Sequence, residues 1–264
     1  MVMVGASMIG WTLAQAVILA KYMISRTVSR HRPPEIPLKD LIDIFLQPGP
    51  VLLRQYEKPN GWLPVILLSV VATVFAYLYF SKVDPEFFIR TTMEREGDEL
   101  TKQQADAMAA AGGSSAMLLW PSTIGAALVS VLMMCGLALY FLLAGKVTGL
   151  AVGFKQGLAL AGFSSMPGIL ASLLGIYGTL SMTPQTFIDA LSYTTFDPML
   201  VQLAPESPWK SLAGSFSFLT LWSIGLAALG WKLWSRGGWG AAISIAALPY
   251  ALVFGFQAVK ALMA

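Results

Sequence analysis

Five stretches of this chain are uncharged and predominantly apolar from end to end. They run Gly61–Ser81, Ser114–Gly145, Gln156–Leu180, Ser211–Trp231 and Gly237–Val259. Each reaches the roughly 20 residues that a helix needs to cross about 30 Å of hydrocarbon. Backbone polar groups find no water inside lipid, so runs of this length must satisfy them internally as helices. They are too long to read as barrel strands. The pattern predicts an all-α, polytopic integral membrane helical bundle with five core transmembrane helices. Residues 2–20, VMVGASMIGWTLAQAVILA, are uncharged too. They read as a sixth, N-terminal span with its start outside, as an amphipathic anchor in the interface, or as an extension ahead of a start at Met23. Length and flanking charge favour the span. A secretory signal is excluded because the basic cluster follows the apolar run.

Between the spans, shorter patterns are legible. Leu38, Leu41, Ile42 and Phe45 share one helical stripe, and Lys39, Asp40 and Asp43 lie off it. This predicts an amphipathic helix at a membrane surface, ended by Gln47-Pro48-Gly49-Pro50. Packing beneath the bundle and docking of a partner protein are both open to it. Thr101 and Gln104 form a capping box that starts a helix running to Ala111. Thr183 as cap and Pro184 as first residue predict another. The domain division expected is 1–37, an apolar helix with a basic linker, and 38–264, the membrane domain.

Charge sets the orientation. Residues 21–60 hold Lys21, Arg26, Arg30, Arg32, Lys39, Arg54 and Lys58. The loop 82–113 is acidic, with Asp84, Glu86, Glu94, Glu96, Asp98, Glu99 and Asp106. Lys146 and Lys155 flank the next connection, and Asp189, Asp197 and Glu206 outnumber Lys210 in the one after. Lys232 and Arg236 mark the last. Basic loops stay in the cytoplasm. The core N-terminal region is therefore expected in the cytoplasm and the C-terminus outside.

Composition narrows the class further. Of 264 residues, 56% are apolar and 12% charged, with mean hydropathy +0.67; soluble domains carry about 25% charge. Soluble enzymes, nucleic-acid binders and disordered tails are excluded. The net charge of +3 sits at span ends, so the expected partner is membrane lipid and not nucleic acid. No catalytic, cofactor-binding or metal-ligating constellation emerges. His31 stands alone among arginines, and Cys135 lies mid-span as a packing residue. The carboxylates of 82–113 match no calcium loop and read as a solvated face. The five spans hold no Asp, Glu, Lys, Arg or His, which counts against ion-coupled transport.

What the spans hold is small residues. Ser164, Gly168 and Ser172 recur at i+4, and Ala171, Gly175 and Thr179 form a second stripe. Such stripes let helix backbones approach, within one chain or between subunits. Pro167 and Pro249 each remove a ladder hydrogen bond and predict static kinks, with serines beside Pro167 able to satisfy freed carbonyls.

Three blocks of sequence carry a family resemblance. They are Leu41-Ile42-Asp43-Ile44-Phe45-Leu46-Gln47-Pro48, then Ala159-Leu160-Ala161-Gly162-Phe163-Ser164-Ser165-Met166-Pro167. The third is Phe216-Ser217-Phe218-Leu219-Thr220-Leu221-Trp222 through Gly230, followed by Ala241-Ala242 and Leu248-Pro249-Tyr250. Across residues 38–260 the chain resembles the Yip family of Ypt/Rab-interacting membrane proteins, in its bacterial form. The resemblance implies a five-span helical domain with a cytoplasmic N-terminal region in a bacterial cytoplasmic membrane. Eukaryotic members are linked to Rab binding and vesicle traffic. This sequence lacks their Asp-Leu-x-Gly-Pro block, so that role is not carried over. Some bacterial relatives are associated with ABC exporters and their adaptor proteins. The expectation is a non-enzymatic accessory or scaffolding subunit of such machinery, with Leu38, Leu41, Ile42 and Phe45 as the partner surface. The alternative is an autonomous small-solute channel or transporter.

Overall fold

The computed structural model describes residues 38–96, 115–204 and 207–263. The expected sixth span, the basic linker with His31 and the expected helix at 101–111 lie outside them. The described residues form helices α1 (Lys39–Leu46), α2 (Pro48–Glu57), α3 (Trp62–Phe80), α4 (Pro85–Glu96), α5 (Ser115–Thr148) and α6 (Phe154–Ser164). There follow α7 (Gly168–Ser181), α8 (Phe196–Met199), α9 (Lys210–Ser215), α10 (Phe218–Ser235) and α11 (Trp239–Met263). No strand occurs among them; Thr195 and Ser217 pair in one isolated bridge.

The molecule is an all-α membrane bundle. Helices α3, α5 and α11 are each long and apolar enough to cross a bilayer. The third expected span is two helices, α6 and α7, bent by 47° at Ser165–Pro167. The kink expected at Pro167 is thus a full break, because the chain turns through 3₁₀-type bonds from Gly168 N to Ser165 O (2.9 Å) and Ile169 N to Met166 O (3.0 Å). The fourth expected span, Ser211–Trp231, is interrupted at Phe216 and Ser217. Ser217 caps α10 by accepting from Leu219 N, and α10 then runs 18 residues, past Lys232. The stretch of α10 from Leu226 to Trp234 carries most of its buried residues, while Phe218, Leu221 and Trp222 are exposed.

Two local expectations change. Pro48 starts α2 as well as ending α1, since a proline's missing N–H costs nothing in a first turn. No helix follows Thr183-Pro184. The hydroxyls of Thr183 and Thr186 lie 3.0 Å apart and close a turn instead, and a short 3₁₀ turn follows at Ile188–Leu191.

The loops sort by charge in space. At one end Tyr56 Oη donates to Ala151 O (3.3 Å), and Trp234 Nε1 donates to Leu52 O (2.8 Å). This end gathers the basic connections. At the other, Tyr79 Oη donates to Thr186 O (3.1 Å), Asp84 N to Pro184 O (2.8 Å), and Lys82 Nζ to Thr179 O (2.7 Å) at the carbonyl end of α7. Asp197, expected only as a loop acid, is buried here. It accepts from Lys210 Nζ (3.0 Å) and Leu203 N (2.7 Å). A cation beside a buried carboxylate offsets the cost of removing both from water.

The core lies where α6 crosses α2, α3, α5 and α10. Residues Gly157 through Ser164 are all buried in sequence. Leu160 and Phe163 from α6 meet Ile44, Leu52, Phe141 and Trp231 in one cluster. By contrast α5 and α11 expose large apolar side chains, among them Leu128, Leu132, Leu143, Leu252 and Phe256. In water such surface would be costly; in lipid it is the ordinary outer face of a span.

Pro249 stands inside α11 and cannot donate to the carbonyl of Ile245. Tyr140 of α5 supplies the missing donor, its hydroxyl 2.7 Å from Ile245 O. The proline and tyrosine therefore act as a pair. Tyr140→Phe should lower stability by about 1–3 kcal/mol, the cost of an unpaired buried carbonyl. In a Pro249→Ala background, where the helix supplies its own N–H, the same change should cost less. Thermal unfolding of the four proteins in one detergent measures the coupling, and equal costs in both backgrounds would exclude the pairing.

Candidate functional site

Helices α1 and α2 fold back on each other as a hairpin. Arg54 Nη2 donates to Asp40 Oδ1 (2.6 Å) and lies 3.8 Å from Asp43 Oδ2. Gln55 Nε2 donates to Asp40 Oδ2 (2.8 Å), and Asn60 N donates to Gln55 Oε1 (2.8 Å). The network joins both helices to the turn before α3. Asp40 is buried, although the sequence pattern placed it on a solvated face. The available signal was an arginine fourteen positions on, across a Pro-Gly-Pro turn.

Apolar contacts hold the same hairpin in the bundle. Ile44, Val51 and Leu52 are fully buried in the main cluster. Trp234 packs against Tyr56, ring centroids 5.2 Å apart, as its indole bonds to the Leu52 carbonyl. A buried indole N–H needs such an acceptor. The four residues of the expected partner surface part company here. Leu41 and Phe45 turn inward, and Phe45 meets the Trp222 ring edge-on at 5.6 Å. Leu38 is 61% exposed; on the hairpin Ile42 remains outward, 64% exposed, and Leu46 and Leu53 are exposed too.

The other feature is a cavity of about 350 Å³ between α7 and α10. Its wall includes Ser165 at the break, Ser172 on α7, Ser217 capping α10, Ser223 on α10, Thr194 in the loop and Tyr250 on α11. Most lining residues end in a hydroxyl, and none is charged. Its origin is geometric. At Pro167 the chain turns α7 away by 47°, so α7 and α10 diverge above the break. The Leu191–Thr195 segment folds over the gap, held by Ser217 Oγ donating to Thr194 O (2.8 Å).

The small and kink residues read from sequence fall into separate roles. Ser164 is buried and donates back to Ala161 O (3.2 Å). Gly175 is a close contact: a Cβ there would lie 2.8 Å from the Phe75 ring. Gly168 is not, since a Cβ there would meet nothing within 4 Å. It faces the cavity, so the expected backbone approach at Gly168 is corrected. The tightest crossings involve other glycines. A Cβ at Gly61 would lie 2.5 Å from backbone atoms of Leu158 and Ala159, and one at Gly157 would lie 2.5 Å from Ala138 O. Cys135 packs among the residues around Val65 and Leu158.

These features define a polytopic membrane protein with a docked N-terminal hairpin and a broken central span. The Yip1 domain model matches residues 42–259, and the chain belongs to that family. No curated protein and no solved structure matches the chain significantly.

Gly61→Ala should lower the melting temperature, because the new methyl meets backbone that cannot rotate away; overpacking of this kind costs about 1–3 kcal/mol. Gly168→Ala should leave stability unchanged or raise it, as the methyl enters open space and alanine favours helix. Melting temperatures of the two purified variants check this, and the reverse order would contradict the packing described.

Proposed function

We propose that this Yip-family protein is a non-enzymatic accessory or scaffolding subunit of membrane machinery, and that an ABC exporter with its adaptor protein is the machinery it serves. One observation carries the reading. The hairpin is locked to the bundle by the Asp40–Arg54–Gln55 network and by Ile44 and Leu52, yet it presents Ile42, Leu46 and Leu53 outward. A rigid apolar surface loses little entropy on docking, which favours binding. Phe45 is the anchor of the hairpin to Trp222, and Ile42 is the residue that meets the partner.

Ile42→Asp should leave expression and melting temperature near wild type while abolishing co-purification with exporter subunits in mild detergent. Phe45→Asp should instead lower the melting temperature, because it buries a charge beside Trp222. Co-purification that survives Ile42→Asp would remove the hairpin from the interface.

The hydroxyl-lined cavity is the observation that favours the second reading, an autonomous small-solute channel or transporter. The inner half of the bundle beneath it is filled by α6 and α10, with Leu160, Phe163 and Trp231 buried. Solute flux through the purified protein in liposomes, with no partner present, would establish this reading over the first.

The membrane of residence under this proposal is the bacterial cytoplasmic membrane, with the hairpin and basic loops in the cytoplasm and the C-terminus outside. Gathering of the basic connections at one end supports it. In a Cys135→Ala background, Lys146→Cys should label only from the cytoplasmic face and Gln185→Cys only from the outer face. Labelling from one common side would refute the orientation.

A further inference from the structure

The cavity between α7 and α10 has a chemical signature that the accessory role does not use. Ser165, Ser192, Thr194, Thr220, Ser223 and Tyr250 line it, and their side-chain hydroxyls bond to no described residue. Ser223 is the most enclosed of them, 6% exposed, on the stretch of α10 that borders the cavity. Hydroxyls open to a cavity are free to bond water, or a ligand that takes the water's place.

The wall also indicates which ligand suits it. No lining residue carries a charge, so a free ion has no counter-charge here. Both helix starts at the cavity have their first N–H groups occupied. Gly168 and Ile169 bond back into the break, while Leu219 N donates to Ser217 Oγ and Thr220 N to Ser217 O. The backbone donors that would cradle a phosphate or carboxylate are thus already spent. Hydroxyls both donate and accept, which matches a group that does the same. The rings of Phe75 and Tyr250 supply flat apolar surface for C–H faces. About 350 Å³ lies within the usual size range of small-molecule pockets, roughly 300–1,000 Å³.

We propose that this cavity binds a neutral polyhydroxylated group, a sugar ring or glycerol unit, either free or as the headgroup of a neutral lipid. The splayed α7 gives it room, and the free hydroxyls of Ser223, Thr220 and Ser165 hold it.

The test uses the full-length protein in nanodiscs. Methyl β-glucoside titrated from solution probes the free source. Glucosyl-diacylglycerol included in the disc, with bound lipid read by native mass spectrometry, probes the lipid source, and phosphatidate is the anionic control. Gly168→Leu fills the cavity from a position with open space around it. Ser223→Ala removes one hydroxyl of the wall without adding bulk. Each variant should weaken binding of the successful probe about 10-fold or more, the loss expected for one buried hydrogen bond. Binding of the free glucoside assigns a soluble polyol, and retention of the glycolipid alone assigns a headgroup. The proposal is overturned if neither neutral probe binds the wild-type protein, if phosphatidate is preferred, or if both variants bind as wild type does.

Discussion

Proline 167 is the constraint on which the arrangement turns. A helix cannot carry its ladder through that position, and in this chain the i→i−4 bonds give way to i→i−3 turns across Ser165–Pro167. The two halves are then free to do different work. Helix α6 stays in the centre, buried along eight consecutive residues from Gly157 to Ser164. Helix α7 departs at 47° and borders the cavity of hydroxyl and apolar groups. An unbroken span could follow only one of these directions. The divergence of α7 from α10, the folding of Leu191–Thr195 over the gap and the exposure of Gly168 to open space all follow from the one break.

A second constraint is that hydrocarbon supplies no hydrogen bonds. The structure answers it with side chains that reach from one helix to the main chain of another. Tyr140 serves the carbonyl orphaned by Pro249, Trp234 reaches the Leu52 carbonyl, and Ser69 Oγ lies 3.3 Å from Ala127 O. Each bond spans a large distance in sequence. Together they tie α2 to α10, α3 to α5 and α5 to α11. In such a bundle, polar side chains register the helices while glycines such as Gly61 and Gly157 set how closely they approach.

The hairpin shows why a surface is harder to read than a span. Its amphipathic stripe predicted α1, and the proline turn predicted its end. Which apolar residues faced the bundle could not be read, because Phe45 and Ile42 lie on the same apolar stripe of α1. Phe45 is the larger side chain and goes to Trp222, whereas Ile42 stays outside. Asp40 looked solvated because its partners, Arg54 and Gln55, come from the next helix. For a protein whose proposed role is to hold other proteins, this distinction decides which residues carry function.

The sequence by itself determined the class. Uncharged runs of spanning length admit only helices in lipid, and the alternation of charge between them divided the loops into the two groups that the structure gathers at opposite ends. The family was legible in the short motifs around Phe45, Pro167 and Pro249, and matches over residues 42–259. The tertiary structure alone decided how deep the break at Pro167 is, that Phe216 and Ser217 interrupt the fourth run, and which small residues touch backbone. It also made the cavity, whose hydroxyls come from α7, α10, α11, the break and the loop at Ser192–Thr195. Hydrophobic run length is a local property, counted along the chain and enforced by the solvent. Close approach, buried pairing and cavity shape depend on what a residue meets across the bundle, and that partner is chosen only when the helices pack.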